Sequence, residues 1–425
     1  MRRYQGQTVQ AGVAIGVIHR LASNAQESQE PFILAADELT PELFCHLQRE
    51  LLQGIVVTRC GMASHVAMLA READVPMLCG VDVGAAWNGM PAVLDAEASE
   101  LLVKPTKEAL LAARAKQSAL ENERCRLKAR LDAQASSAVN GAPATARARV
   151  FATLSDISGA RAALRGGAEG VGLFRSETLF WQSDTPPDED LQYWAYRALL
   201  NQFHGAPVTV RTLDLGADKR TSALRMPAEP NPALGCRGIR LWIARPELHV
   251  PQLRALLRAA VHGSLRVLYP FVNAPEELLA CKQAMAACAT ALTREGIPHG
   301  IPQQGVMIET PAAVMLAPEL AQEADFFSVG TSDLAQYVLA ADRQSNEFYC
   351  ARHPAVLRML HMAAQAALAR GIPLCACGTL AEDMEMTKAL CDLGIHDFSV
   401  SPGRVLALRT RLAGMGAFQS DASQP

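Results

Sequence analysis

Short apolar runs alternate with polar and helix-patterned stretches from residue 8 to residue 103. Runs at 13–18, 31–35, 54–57, 77–79 and 92–94, closing with 101–103, have the length and flanking turn residues of strands. Segments 41–51 and 64–73 instead space their apolar positions for one face of a helix. Together they predict a mixed α/β domain over residues 1–104. From 106 to 133 the pattern changes to Ala, Leu, Glu, Lys, Arg and Gln without a glycine or proline. Thr106 suits an N-cap and Leu120, Leu127 and Leu131 share a stripe, so a long exposed helix or helical hairpin arm is expected. Residues 135–143 break it and read as a linker, which makes 105–145 a connecting segment.

A new rhythm follows. Runs at 150–154, 170–174, 208–212, 266–271, 305–308, 325–329, 373–376 and 397–401 are each followed by a helical pattern. About eight βα units over residues 146–419 predict a (β/α)₈ TIM barrel, and the fold class is α/β. The polar end, 420–425, reads as a disordered tail.

The 425 residues are 50% hydrophobic and 20% charged, a globular balance, and the net charge of -3 gives no reason to invoke nucleic acid or an anionic membrane surface. Apolar runs stop far short of the roughly 18 to 20 residues of a membrane span, and the basic start Met1-Arg2-Arg3 precedes no apolar core. A cytoplasmic protein without membrane insertion is expected. The 11 cysteines are scattered, and the closest pair, Cys375 and Cys377, has C-x-C spacing that fits neither a zinc site nor a thioredoxin motif.

Chemistry enters at the ends of the apolar runs. Arg175, Arg211, Glu309, Asp333 and Cys377 each follow one, so in a barrel all five lie at the C-terminal face that holds barrel active sites. Singly, each is explained by packing or an ion pair. Together with Asp214, Lys219, Arg237 and Arg343 on neighbouring loops they suit a small, multiply charged anion. Glu309 and Asp333 offer hard oxygens for one Mg²⁺, with substrate oxygens and water completing the shell. That is the equipment of phosphoryl transfer. A second signal is Gly61-Met62-Ala63-Ser64-His65-Val66-Ala67, in which a histidine opens an amphipathic helix. A helix N-terminus favours an anion on the ring and disfavours imidazolium, which suits a nucleophile that takes up phosphate, although a capping or surface histidine reads the same way.

Several strings then carry a family resemblance: Gly170-Val171-Gly172-Leu173-Phe174-Arg175-Ser176-Glu177, Arg211-Thr212-Leu213-Asp214 through Lys219, and Asn231-Pro232-Ala233-Leu234-Gly235-Cys236-Arg237. Longer still is the run from Glu309-Thr310-Pro311 through Ser328-Val329-Gly330-Thr331-Ser332-Asp333-Leu334 to Arg343, followed by Cys377-Gly378. With Ser64-His65, these resemble enzyme I of the bacterial phosphoenolpyruvate:sugar phosphotransferase system over nearly the whole chain. The resemblance implies a swivelling phosphohistidine domain before the barrel, phosphoenolpyruvate as substrate, and autophosphorylation on His65 with release of pyruvate. It implies that Arg175, Arg211, Lys219 and Arg343 hold the phosphate, that Arg237 assists, and that the Ser332-Asp333 position holds the carboxylate. Glu309 and Asp333 would bind Mg²⁺, Cys377 would protonate the methylene carbon, and a homodimer would form through the barrel.

The chain departs from that family at Cys60 and Ala217, which stand for glycines, at Ala63 for threonine, at Ser332 for asparagine and at Thr379 for glutamate. The helical insert by which enzyme I docks the phosphocarrier HPr is missing, since only the polar stretch 23–30 separates the first two strand regions. A dikinase or phosphoenolpyruvate synthase shares the motifs but requires an ATP-binding domain for which no segment is available. The remaining alternatives are a regulatory, non-catalytic homologue that binds phosphoenolpyruvate, and a fragment of a multidomain phosphoryl transfer protein.

Overall fold

The computed structural model describes residues 1–20, 30–40, 43–44, 47, 51–60, 65–137, 148–181, 185–215, 224, 229–343 and 347–416. The chain divides into two units, Met1–Arg130 and Leu131–Pro425. In the first, β1 (Arg2–Gln5), β2 (Gln7–Gln10), β3 (Val13–Arg20), β4 (Phe32–Ala36), β5 (Leu52–Val57), β6 (Met77–Cys79), β7 (Pro91–Asp95) and β8 (Glu100–Val103) form one sheet. Its order is β1-β8-β7-β3-β4-β5-β6-β2. Strands β3 to β6 pair in parallel, and the pairings at both flanks are antiparallel.

Side-chain alternation explains why β4 reads as an unbroken apolar run. Phe32, Leu34 and Ala36 join Ile55, Val57 and the helix residues Val66, Ala67 and Leu69 in one cluster. Ile33 and Ala35 join Ile18, Val56, Leu78 and Trp87 in another. Both faces are covered, so every position of the strand is apolar. Each fully buried Ile or Leu contributes about 1.5–3 kcal/mol relative to an exposed one.

Strands β1 and β2 had no apolar signature to announce them. They are short sheet-edge pairings of sequence RRYQ and QTVQ, largely in contact with solvent. Of the helix expected over 41–51, Leu43 and Phe44 are helical, while 41–42, 45–46 and 48–50 lie outside the described residues. The helix expected over 64–73 is His65–Glu72.

The long helix is Lys107–Ser137, with the Thr106 hydroxyl accepting from Ala109 N at 3.2 Å as its cap. It is not wholly exposed. Ala113, Leu110 and Leu120 pack on Val13, Val93, Ile15 and Leu102 of the sheet, and Lys116 reaches Asp95 at 2.6 Å. The helix passes the break expected at 135 because Ala135, Ser136 and Ser137 carry no strong helix-breaking tendency. The rest of the expected linker and the 420–425 tail lie outside the described residues.

In the second unit the eight expected strands all form: β9 (Arg149–Leu154), β10 (Val171–Arg175), β11 (Val208–Arg211), β12 (Leu265–Tyr269), β13 (Gln303–Ile308), β14 (Phe327–Gly330), β15 (Leu374–Cys377) and β16 (Asp397–Val400). They pair in parallel in sequence order and close β16 onto β9. Strand β12 ends two residues before the expected boundary, because Phe271 adopts φ 61° and turns the chain. Among the described residues no helix is long and apolar enough to cross a membrane.

Candidate active site

Parallel closure puts every strand's C-terminal end at one rim of the barrel. Arg175 and Arg211 end β10 and β11 and are register partners. Cys377 ends β15, its thiol among Leu173, Leu268 and Met307. Glu309 follows β13 directly, since Thr310 caps the next helix by accepting from Ala313 N at 3.1 Å and Pro311 supplies its first position. Asp333 lies in the first turn of helix Thr331–Leu339, immediately after β14.

These side chains form one buried ionic network. Arg211 Nη2 donates to Glu177 Oε1 at 2.5 Å, and its Nη1 lies 3.5 Å from Asp214 Oδ2. Arg237 grips Asp214 through Nε at 3.1 Å and Nη2 at 2.7 Å. It also donates to Asp333 Oδ1 at 3.2 Å and to Tyr337 Oη at 3.0 Å. Arg343 reaches Asp333 Oδ1 at 3.5 Å. Asp214 has no exposed surface and Arg237 only 2%. Burial disfavours both guanidinium cations, but carboxylates outweigh it: Glu177, Asp214 and Glu309 hold Arg211 above its usual range, and Asp214 and Asp333 do the same for Arg237. The donors of Arg237 thus brace two aspartates.

Glu309 is the outlier. Its Oε1 accepts from Phe271 N at 2.7 Å, while the buried Oε2 has no hydrogen-bond partner among the described residues. Burial, reinforced by Asp333 and Asp214 and opposed by Arg237 and Arg211, pushes its carboxyl up to about 7. Two glycines make the approach possible. A Cβ at Gly330 would meet Glu309 Oε2 at 2.7 Å, and one at Gly238 would meet Phe271 Cβ at 2.5 Å.

The Cys377 thiol contacts Val329 O at 3.3 Å, and burial raises it to about 11, so it stays protonated across neutral pH. The neighbouring Ser332 hydroxyl accepts from Thr379 N at 3.2 Å and lies 3.4 Å from Thr379 Oγ1. Tyr349 Oη closes the group at 3.3 Å from Thr379 Oγ1.

Arg175, Arg211, Arg237, Glu309, Ser332, Asp333, Arg343 and Cys377 therefore all belong to one end of the barrel. Lys219 lies outside the described residues. His65 opens helix His65–Glu72 in the other unit. Sequence reasoning missed the backbone N–H of Phe271 and the bracing roles of Glu177, Tyr337 and Gln252. Gln252 accepts from Leu213 N at 2.9 Å and donates to Ser176 Oγ at 3.1 Å, fixing the strand-end loops. Glu177 stands two positions past Arg175 in a quoted string, and that was its available signal. Phe271 N–H had none, since any residue carries one.

Residues 130–416 match the family described as PEP-utilising enzyme, PEP-binding domain, and residues 28–99 match PEP-utilising enzyme, mobile domain. The chain is 40% identical to a multiphosphoryl transfer protein of Rhodobacter capsulatus, over 90% of the chain and 46% of that relative. It is 35% identical to a phosphoenolpyruvate-protein phosphotransferase of Geobacillus stearothermophilus, over 92% of the chain and 68% of the relative. A phosphoenolpyruvate-protein phosphotransferase of Haloferax volcanii is 37% identical, over 90% of the chain and 67% of the relative. The chain thus spans about half the length of the first relative and about two thirds of the others.

Proposed function

The chain belongs to the family of PEP-utilising enzymes, and from that premise we propose that it moves the phosphoryl group of phosphoenolpyruvate onto His65 and releases pyruvate, as the donor component of a sugar phosphotransferase system. The observation that carries this reading is the convergence of Arg175, Arg211, Glu309, Asp333 and Cys377 at the C-terminal ends of strands of one barrel. Cations, hard oxygen donors and a protonated acid are what the reaction needs side by side.

In this reading Arg175, Arg211, Lys219 and Arg343 neutralise the phosphate, and backbone N–H groups at Ser332-Asp333 orient the carboxylate. Glu177 and Asp214 keep Arg211 charged and aimed, because a guanidinium between two carboxylates cannot rotate away without losing both. Arg237 acts through Asp333 instead of on the substrate. The neutral His65 imidazole attacks phosphorus, forming the N–P bond as the bridging O–P bond breaks. The Cys377 thiol gives its proton to the methylene carbon of the departing enolpyruvate, and the thiolate recovers one from solvent. A thiol near pKa 11 is the right donor, since it stays loaded at neutral pH yet faces a strongly basic enolate carbon.

The residues present fit Mg²⁺. Glu309 Oε2 is a buried oxygen without a hydrogen-bond partner among the described residues, and Glu309 and Asp333 repel each other across the site. No cluster of three or more His, Cys, Asp or Glu suited to a metal occurs among the described residues, so two carboxylates would share the ion with substrate oxygens and water. Bound there, Mg²⁺ would neutralise charge on the phosphate and carboxylate of the substrate.

The acceptor in this reading is an HPr-like phosphocarrier, and a homodimer is part of the same proposal. The test is incubation with phosphorus-labelled phosphoenolpyruvate and Mg²⁺. Acid-labile label on the wild type, absent from His65→Ala while that variant still binds phosphoenolpyruvate in calorimetry, supports the assignment. Label persisting in His65→Ala overturns it, as does an unlabelled wild type.

A further inference from the structure

Strands β5 and β6 end side by side in the first unit, with Val57 opposite Cys79. The chain beyond each continues alongside the other: Val81 N donates to Val57 O at 3.3 Å, and Val83 N to Thr58 Oγ1 at 3.3 Å. This brings Cys60 against Cys79. The Cys79 thiol donates to Cys60 O at 3.0 Å, and the Cys60 side chain also interacts with it. Both are thiols, Cys60 half-buried and Cys79 buried. A sulfur that close to the carbonyl of residue 60 is within side-chain reach of that residue's own sulfur.

We propose that Cys60 and Cys79 are an oxidation site, closed to a disulfide by a hydroperoxide, and that the bond suppresses phosphorylation of His65, which lies five residues after Cys60. The second half rests on the phosphotransfer reading above. Cys60, the more accessible sulfur, takes one oxygen from the peroxide to give a sulfenic acid and one water (or alcohol). The Cys79 sulfur then attacks Cys60, expelling the hydroxyl as a second water and forming the S–S bond. Two thiols are oxidised and one peroxide bond is reduced. Burial and Cys60 both raise the Cys79 thiol, which makes it a poor first target for the peroxide.

The consequence for His65 follows from geometry. Closing the S–S bond removes the proton that the Cys79 thiol gives to the Cys60 carbonyl, so residue 60 loses that hydrogen bond as the sulfurs join. Residue 79 is held in β6 between β5 and β2 and cannot follow. The adjustment therefore falls on residue 60, five residues before His65, and displacement of a reacting group by about 1 Å costs on the order of 10²-fold in rate.

The experiment treats reduced full-length chain with hydrogen peroxide, maps disulfides by mass spectrometry, and measures labelling from phosphoenolpyruvate before and after a dithiol reductant. The expected result is a Cys60–Cys79 cross-linked peptide, labelling slowed on the order of 10²-fold, and recovery on reduction. Cys60→Ser and Cys79→Ala should form no such cross-link and keep their labelling rate after peroxide. Absence of the cross-link in the wild type overturns the site. A cross-link with unchanged labelling overturns its effect on His65, as does equal loss of labelling in Cys60→Ser. If reduced wild type never labels, the phosphotransfer reading fails, while the peptide map still decides the oxidation site.

Discussion

Replacing Glu309 with glutamine is expected to stabilise the metal-free barrel while disabling it. The folded carboxyl sits at about 7 against an ordinary 4.5, about 2.5 units, and at roughly 1.36 kcal/mol per unit this is about 3 kcal/mol. The sign follows from proton binding. Between those two values the folded chain holds a proton that the unfolded chain has lost, so stability falls as pH rises. The penalty is absent well below 4.5 and complete above about 7. Glutamine keeps an oxygen to accept from Phe271 N and cannot ionise. In EDTA, urea denaturation should therefore show Glu309→Gln ahead of wild type by about 1 kcal/mol near pH 5 and about 3 kcal/mol near pH 8.5. Added Mg²⁺ should stabilise wild type at the higher pH and leave the variant unmoved. A variant less stable than wild type near pH 8.5, or a gap that does not change with pH, would refute the account of Glu309.

Three further outcomes are expected. Cys377→Ala should slow pyruvate release on the order of 10²-fold, as loss of a general acid does, with phosphoenolpyruvate binding by calorimetry retained. Arg237→Gln removes the guanidinium that buried Asp214 and Asp333 share, and should cost about 3–5 kcal/mol in chemical denaturation; a loss under 1 kcal/mol would show that the brace is not structural. Transfer to free HPr should be poor because only residues 21–31 join β3 to β4, too little chain for a docking interface. Grafting an enzyme I helical subdomain into 23–30 should restore transfer in part, and transfer by the unmodified chain at an intact enzyme's rate would contradict this.

The barrel was legible because its parallel strands are buried on both sides and so appear as short apolar runs, and because a charged residue directly after such a run has few places to go but the rim. Strands β1 and β2 were not legible, since these edge strands owe their pairing to β8 and β6, far along the chain, and carry no apolar alternation of their own. The end of β12 was misjudged for a different reason. Phe271 looks like one more strand residue, and only the packed site explains its left-handed turn, which delivers an N–H to Glu309. Arg237 was read by its charge as one of several cations suited to a small anion; where its donors go depends on Asp214 and Asp333, which no local pattern joins to it.

The departures at Ser332 and Thr379 show what pairing adds to such a reading. In the sequence they stand 47 residues apart as two separate losses, an amide and a carboxylate. In the fold they are one contact, a hydroxyl bonded to the other residue's N–H and facing its hydroxyl, with Tyr349 Oη joined to the same group. Restoring either family residue alone would set a longer polar side chain against a short partner already bonded to its own neighbours. Restoring both would replace one satisfied pair with another. The two positions are therefore coupled, and a double-mutant cycle of Ser332→Asn and Thr379→Glu should be non-additive by about 0.5–3 kcal/mol in stability. Additivity within about 0.3 kcal/mol would mean that the contact carries no energy and that the two departures are independent after all.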